Sequence, residues 1–474
     1  MSADYDAVIV GSGPNGLVAA IRLAQAGRKV LVLEQASTLG GGLRSAELTL
    51  PGFTHDVCAT VHTLAGASPA FRSLNLEADG LRWAHAPIEL AHPLDDAPAA
   101  LLMRSATETA AGLGEDASRW YRAIGALGDD ALPLAQALLN PLSPPPIASL
   151  PSLARFGVLG GLPASLVASV FRTERARALF GGLAGHSILG FHQLGTAGFA
   201  TFLGALAHGV GWPVAVGGSQ SLADALVARL TSLGGEVQTD VRVRSRADLP
   251  SSRALLLDLN PQQVVTVLGD ELPPTYARRL SSFRHGPGVF KLDWALDGPV
   301  PWSDASVGRA STVHLGGTFA EVAASERAVA RGRATQRPFV LFVQASVADA
   351  TRAPAGKQTA WAYCHVPNGS RVDMTDAIES QVERFAPGFR DLVLARHSMN
   401  PASMQAHNPN YVGGDIAGGA SDLRQFVARP LLARSPWRTP VAGVYLASAS
   451  TPPGPGVHGM GGWHAAERAL DDLA

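Results

Sequence analysis

Val8-Ile9-Val10-Gly11-Ser12-Gly13-Pro14-Asn15-Gly16 decides the fold, because what surrounds this glycine turn completes a dinucleotide-binding unit. A lone G-x-G-x-x-G is a weak signal, and here its context is present. Tyr5 to Val10 reads as a buried strand. Gly11 permits the tight turn, Gly13 lets the backbone approach a pyrophosphate, and Gly16 lets the following helix pack close to the sheet. Leu17, Ile21 and Ala24 recur at helical spacing, Gly27 sits where a C-cap belongs, and Val30 to Leu33 supplies a second apolar strand. The helix N-terminus carries about half a positive charge, so it can hold a diphosphate without a lysine. Glu34 falls eighteen residues after Gly16, near the spacing expected of a carboxylate that accepts ribose hydroxyls. Gly11, Ser12, Gly13, Pro14, Asn15, Gly16, Glu34 and Gln35 are therefore candidate cofactor-binding residues.

A second glycine run, Leu39-Gly40-Gly41-Gly42-Leu43-Arg44-Ser45, follows the ribose carboxylate. Further motifs are Pro51-Gly52-Phe53-Thr54-His55-Asp56 and, near the C-terminus, Ser448-Ala449-Ser450-Thr451-Pro452-Pro453-Gly454-Pro455-Gly456-Val457-His458-Gly459-Met460. Together these segments resemble the phytoene-desaturase and carotenoid-isomerase-like flavoproteins of the flavin amine oxidase superfamily. The likeness is nearest to the branch named for a pyridine nucleotide-disulphide oxidoreductase domain. It spans essentially the whole chain.

The resemblance implies an α/β protein whose Rossmann-type, three-layer FAD-binding domain carries an inserted α+β substrate-binding domain. It implies FAD as cofactor, with Gly41, Gly42, Leu43 and Arg44 at the pyrophosphate and ribityl chain. It places the strand near Val241 at the adenine, and Ser448, Gly456, Gly459 and Met460 at the flavin end. Two departures stand out. Many relatives have Gly-Gly-Arg where this chain has Gly40-Gly41-Gly42 and a displaced Arg44, and Ser448-Ala449 lacks the carboxylate found in others.

Gly454-Pro455-Gly456-Val457-His458-Gly459 is not a second nucleotide site, because no strand and ribose carboxylate can follow in the fifteen residues that remain. It reads instead as a turn between a final strand, Gly443 to Ala447, and a helix from about Met460 to Leu473. No other dinucleotide fingerprint is present, so the expected acceptor that reoxidises the flavin is oxygen, a quinone or another protein.

Composition gives a large core and no nucleic-acid partner: the 474 residues carry a net charge of -1. The start Met1-Ser2-Ala3-Asp4 leads directly into a strand, so a cytoplasmic protein without a signal peptide is expected. Cys58 and Cys364 lack a C-x-x-C partner and are expected as small buried apolar residues. No metal-ligand spacing appears, so no metal is expected. Ala178 to Ala223 contains no Asp, Glu, Lys or Arg. Its histidines and glycines break any clean membrane span, so it is expected to line an apolar interior, with a peripheral membrane-facing helix as the alternative.

The FAD-binding domain is expected to be discontinuous over 1–80, 213–275 and 395–474, and the substrate domain to occupy 81–212 and 276–394. Trp83 to Leu150 reads as mixed helical sequence ending in the extended spacer Asn140-Pro141-Leu142-Ser143-Pro144-Pro145-Pro146. Glu236 to Val243 and Ala254 to Leu259 are predicted strands, the latter stopped by Pro261. Val289 to Leu296 alternates and is predicted to begin a second sheet, joined by Phe339 to Ala345 and Thr359 to Val366 under a helix from Met374 to Phe385. From about Leu392 the chain is expected to return to the cofactor.

Lys291 and His458 are the candidate catalytic residues. A lysine on that strand could hold a water near the flavin, as in resembling amine oxidases; the competing reading pairs it with Asp293 on a solvated face. His458 could transfer a proton near neutral pH, or could simply shape its turn. His55 and His62 flank a segment that the resemblance places near the flavin, and packing roles serve them equally. The expected activity is dehydrogenation of a largely apolar substrate by hydride transfer to flavin N5. The alternatives are amine oxidation, with Trp463 and Tyr411 as slot walls, redox-neutral polyene isomerisation, and a non-catalytic flavin-stabilised interaction protein.

Overall fold

The computed structural model describes residues 3–140 and 150–474. The proline run from Pro141 onward lies outside the described residues.

Five parallel strands form the first sheet, in the order Val444–Leu446, Ser252–Leu257, Tyr5–Val10, Val30–Leu33, Glu236–Gln238. Both faces of the first four of these strands are covered, which is why their cores are continuous apolar runs, whereas the edge strand Glu236–Gln238 is largely exposed. Ala7, Ile9, Val30 and Val32 point to a layer that contains the helices Pro14–Gln25, Gln220–Ser232 and Met460–Leu473. Val8, Val10, Leu31 and Leu33 point the other way, against Val264, Leu268 and Leu280 of the helices Pro261–Leu268 and Pro274–Ser281. Each such fully buried side chain contributes about 1.5–3 kcal/mol of transfer free energy. The result is a three-layer Rossmann-type unit assembled from distant segments.

Pro261 acts differently from the expectation that it stops a strand. The strand has already ended at Leu257, and Pro261 opens a helix whose capping box is made by Asn260 and Gln263. The predicted strand to Val243 is also shorter: it ends at Gln238, because Asp240 adopts a left-handed φ of 59° and turns the chain.

The second sheet has seven strands, in the order Val393–Met399, Gly288–Leu296, Gln358–Val366, Val340–Val343, Ala310–Leu315, Ile88–His92, Ala100–Leu102. It therefore begins in the segment read as mixed helix. Ile88–His92 is buried at every residue, and a strand covered on both faces has no alternation to reveal it. The chain also returns to the cofactor later than expected, since residues 393–399 form the edge strand of this sheet, across the boundary drawn at 394. One face of the sheet packs Phe290, Leu292, Trp294 and Phe342 under the helix Thr375–Phe385.

Above the opposite face lie the helices Glu174–Gly185 and Thr196–Gly209, the second wholly and the first from Ala178 onward made from the stretch without charges. Among the described residues, no helix is long and apolar enough to cross a membrane.

Candidate active site

One continuous cavity of about 580 Å³ runs from the glycine turn, past the second glycine run and the C-terminal turn, into the space between the second sheet and its helical roof. It opens at the carboxyl ends of the parallel strands, where ligands of such sheets bind.

At its first end the sequence dictates the geometry closely. The Pro14–Gln25 helix begins at Gly13, which supplies no side-chain cap, and Asp258 takes the Gly16 N–H, so its dipole end is only partly open. A Cβ on Gly16 would lie 2.1 Å from the Gly11 carbonyl oxygen, so only glycine lets the helix start this close to the turn. Glu34 is fixed by three donors: Ser12 N–H at 2.9 Å and Ser12 Oγ–H at 2.7 Å to one oxygen, and Ala36 N–H at 2.9 Å to the other. Its carboxylate lines the cavity with lone pairs to spare for ribose hydroxyls. Asn15 also lines the cavity; it is 5% exposed and its Oδ1 has no protein partner.

Of the sequence-selected residues, Gly11, Gly13, Pro14, Asn15, Glu34, Gln35, Gly41, Gly42, Arg44, Val241, Ser448 and Gly456 line this cavity. Ser12, Gly16, Leu43, Gly459 and Met460 do not, and act from behind it. Val241 spends its N–H on the Glu34 carbonyl at 2.9 Å, which leaves its carbonyl for an adenine. Arg44 gives its Nε–H to the Gly41 carbonyl at 3.0 Å and an Nη2–H to the His407 carbonyl at 2.7 Å, so it braces two backbone segments. At the C-terminal motif the turn Pro455-Gly456-Val457, rather than the helix start at Gly459 and Met460, faces the cavity. Met460 gives its N–H to His458 Nδ1 at 3.0 Å.

That bond also corrects the expectation for His458. Its Nδ1 is occupied by Met460, and its Nε2 lies 3.2 Å from the Gly454 carbonyl. Burial pushes its pKa down to about 4, and it does not line the cavity. The imidazole shapes the turn. Lys291 likewise lies outside the cavity lining. It pairs with Asp293, and the pair is buried rather than solvated, at 2% and 0% exposure. The Lys291 ammonium also stands 5.1 Å from the centroid of the Trp361 ring, which does line the cavity. Burial raises the Asp293 carboxyl, but Lys291 and the nearby His397 and His55 outweigh it and hold the pKa low. His55 is tied to Thr49 at 2.7 Å, and His62, which lines the cavity, to Ser219 at 2.8 Å. Trp463 packs under the Arg22 guanidinium at 5.4 Å, away from the cavity lined by Tyr411, so the two do not form an amine slot.

Sequence reasoning missed Asp258. It ends the central strand's neighbour, lines the cavity and accepts the Gly16 N–H at 3.1 Å. Burial, with the Glu34 charge adding to it against the Gly16 bond, pushes its carboxyl up to about 7. Its position just past a parallel strand beside the switch point was the available signal. The far chamber is walled by Ile188, Leu203 and Trp212 of the uncharged stretch expected to line an apolar interior, and by Val61, Leu64, Leu341, Val343, Trp361 and Tyr363, which sequence reasoning did not bring to it.

Residues 9–75 match the family model for an NAD(P)-binding Rossmann-like domain. Pyridine nucleotide-disulfide oxidoreductase domain-containing protein 2 of Rattus norvegicus is 26% identical, over 100% of this chain and 94% of its own length. The chloroplastic prolycopene isomerase of Daucus carota is 50% identical over 60 residues, 13% of this chain and 9% of the isomerase. A putrescine oxidase variant redesigned in its cofactor binding superposes with a TM-score of 0.64 at 17% identity, covering 99% of this chain and 98% of the oxidase. The likeness to the putrescine oxidase variant shows a shared fold over nearly the whole of both chains.

FAD suits the residues present. The partly open helix end and the orphaned Asn15 Oδ1 suit a diphosphate and its hydration, and Glu34 suits a ribose. Past Gly41 and Gly42, the cavity leads to Ser448, Ala449 and the C-terminal turn, with the apolar chamber beyond. The dinucleotide end and the chamber are one continuous space. Among the described residues there is no cluster of ligands that could hold a metal ion.

Proposed function

We propose that this chain is an FAD-dependent oxidoreductase of the flavin amine oxidase superfamily and that it dehydrogenates a largely apolar organic substrate in the chamber above its seven-stranded sheet. The supporting observation is the chamber wall. Its polar members are few, and among the described residues the only carboxylates lining the whole cavity, Glu34 and Asp258, belong to the dinucleotide end. A diamine would leave its second ammonium without a counter-ion there, at a desolvation cost of several kcal/mol. An apolar chain meets no such penalty.

Bound FAD would supply the two-electron oxidation, by accepting hydride at N5. The chain's own residues exclude water and set the substrate's orientation: Trp361 and Tyr363, stacked with centroids 5.8 Å apart, form an aromatic floor, and Trp212 stands at the roof. Oxygen, a quinone or a partner protein would serve as the electron acceptor. Lipid delivery belongs to the same reading, because Val158, Leu166, Val170 and Leu194, in the segments flanking the roof helices, are exposed by 71%, 54%, 54% and 54%. Anaerobic mixing of the yellow protein with a polyene panel and an amine panel tests the reaction. Bleaching near 450 nm by polyenes and not by amines is the expected result, and bleaching by amines alone overturns it. Polyene isomerisation without bleaching would establish the redox-neutral alternative instead.

A further inference from the structure

The sheet face beneath the chamber is polar toward both edges and lined between them by Leu341, Val343, Trp361 and Tyr363. Cross-strand register aligns His314, Leu341, Tyr363 and Lys291 in one row, and Thr312, Val343, Trp361 and Asp293 in the next. Strands lie about 4.8 Å apart, so three spacings separate His314 from Lys291 by roughly 14 Å. Lys291 and Asp293 satisfy each other at one end. At the other end the polar groups are incompletely satisfied.

There His186, half-buried and lining the cavity, meets His314 with Nε2 to Nε2 at 3.0 Å. One of the two nitrogens must carry the proton. If His186 donated, His314 would keep its proton on Nδ1, which is buried without a partner. An orphaned buried N–H is far costlier than a bare ring lone pair beside an apolar wall. His314 therefore donates, and His186 carries its own proton on Nδ1, where no protein acceptor meets it. His92 supports this arrangement. Its Nε2 lies 2.7 Å from the Gly317 carbonyl, so it donates there and its Nδ1 is also bare. Gly182 keeps this corner open: a Cβ would lie 2.5 Å from His314 Nδ1 and 2.8 Å from His92 Nδ1.

Two independent features mark the same corner. Ile188, two residues beyond His186 and also in the cavity wall, holds a left-handed φ of 56° that is rare and strained for a β-branched residue. Thr312, two residues before His314 on the same strand face, lines the cavity with its Oγ1 unpartnered and its side chain 1% exposed. Strain and unsatisfied polar atoms collected at one end of an apolar chamber indicate a group that arrives from outside.

Building on the apolar-substrate reading above, we infer that His186, oriented by His314 and joined by Thr312, binds a single oxygen acceptor at the far end of the substrate. The substrate class is then an apolar chain or polyene with a terminal hydroxyl or carbonyl, with about 14 Å of apolar body between that oxygen and the Lys291 end. His186 is a binding residue here and His314 a positioning residue.

The test uses the FAD-loaded protein and two probes of matched chain length, dodecan-1-ol and dodecane, with binding read from quenching of tryptophan fluorescence, since Trp212 and Trp361 line the chamber. Wild type is expected to bind the alcohol about tenfold more tightly than the alkane, as one well-formed hydrogen bond gives. His186→Leu is expected to bring that ratio to about one while the alkane affinity stays unchanged. His314→Phe, which leaves His186 unoriented, is expected to lower the ratio partway. Equal binding of both probes by wild type, or equal loss of both in His186→Leu, overturns the inference and leaves the apolar-substrate reading standing. Failure of both probes to bind wild type overturns both.

Discussion

Asp258 accepts the Gly16 N–H at 3.1 Å, which puts a carboxyl at the helix end where a diphosphate must sit. Its pKa, raised to about 7 by burial, makes this a pH-dependent relationship. The folded state holds this proton more tightly than the unfolded chain, whose carboxyl titrates near 3.8. The stabilising contribution is thus complete below pH 3.8 and is lost as pH rises to about 7. Asp258→Asn keeps an acceptor for Gly16 without the charge. The difference in Tm between variant and wild type, measured without FAD, should grow from pH 4 to 7 in the variant's favour and then level off. FAD affinity should rise more in the variant at pH 8 than at pH 6, because the ionised carboxylate repels the diphosphate. Parallel Tm curves across this range would refute the linkage.

Lys291 and Asp293 are a buried pair, and breaking one partner strands the other. Lys291→Met should destabilise the protein by about 3–5 kcal/mol, read from denaturant unfolding. The double variant Lys291→Met, Asp293→Leu should recover most of that loss, since the pair as a whole competes poorly with well-packed apolar groups. Failure of the second substitution to rescue would show that His397, 3.6 Å from Asp293, and His55 depend on the carboxylate in their own right.

The Rossmann-type unit was legible because its signals are local. The turn, the helix spacing and Glu34 lie within one short segment, and each glycine there answers a nearby steric constraint. The chamber was far less legible. Thr312, His314, Leu341, Val343, Trp361 and Tyr363 meet only through cross-strand register, and Ile88–His92 and Ala310–Leu315 are buried at every residue, which erases the two-residue period. Lys291 shows the same limit. Alternation put it on the face opposite Trp294, but nothing in the strand itself shows that this face is also covered. His458 was found by its motif, yet its role depended on which backbone groups its two nitrogens reach.

Ser12 couples the turn to the ribose carboxylate. Its hydroxyl donates to Glu34 at 2.7 Å and accepts the Gly40 N–H at 3.2 Å, tying the first glycine turn to the second. Hydrogen bonds to charged groups contribute about 1.5–3 kcal/mol. Ser12→Ala should therefore weaken FAD binding roughly tenfold or more by equilibrium dialysis, with little change in the fold's far-UV dichroism. Unchanged affinity would mean that the Ser12 and Ala36 amides alone suffice to hold Glu34.

Gly462 provides the sharpest steric test of how the C-terminal helix meets the first one. A Cβ there would stand 1.8 Å from the Asn15 carbonyl oxygen, a backbone atom that cannot swing away. Gly462→Ala must therefore push the Met460–Leu473 helix off the Pro14–Gln25 helix, and with it the turn at Pro455 to Val457 that lines the cavity. Overpacking of this kind costs about 1–3 kcal/mol or more. A fall in Tm of several degrees is expected, with FAD released during gel filtration. Gly112→Ala is the control: it too is a helical glycine, but no atom lies within 4 Å of its added Cβ. That substitution should leave both Tm and bound flavin as they are. If Gly462→Ala behaved like Gly112→Ala, the two helices could not be in the contact that seats the C-terminal turn against the cofactor.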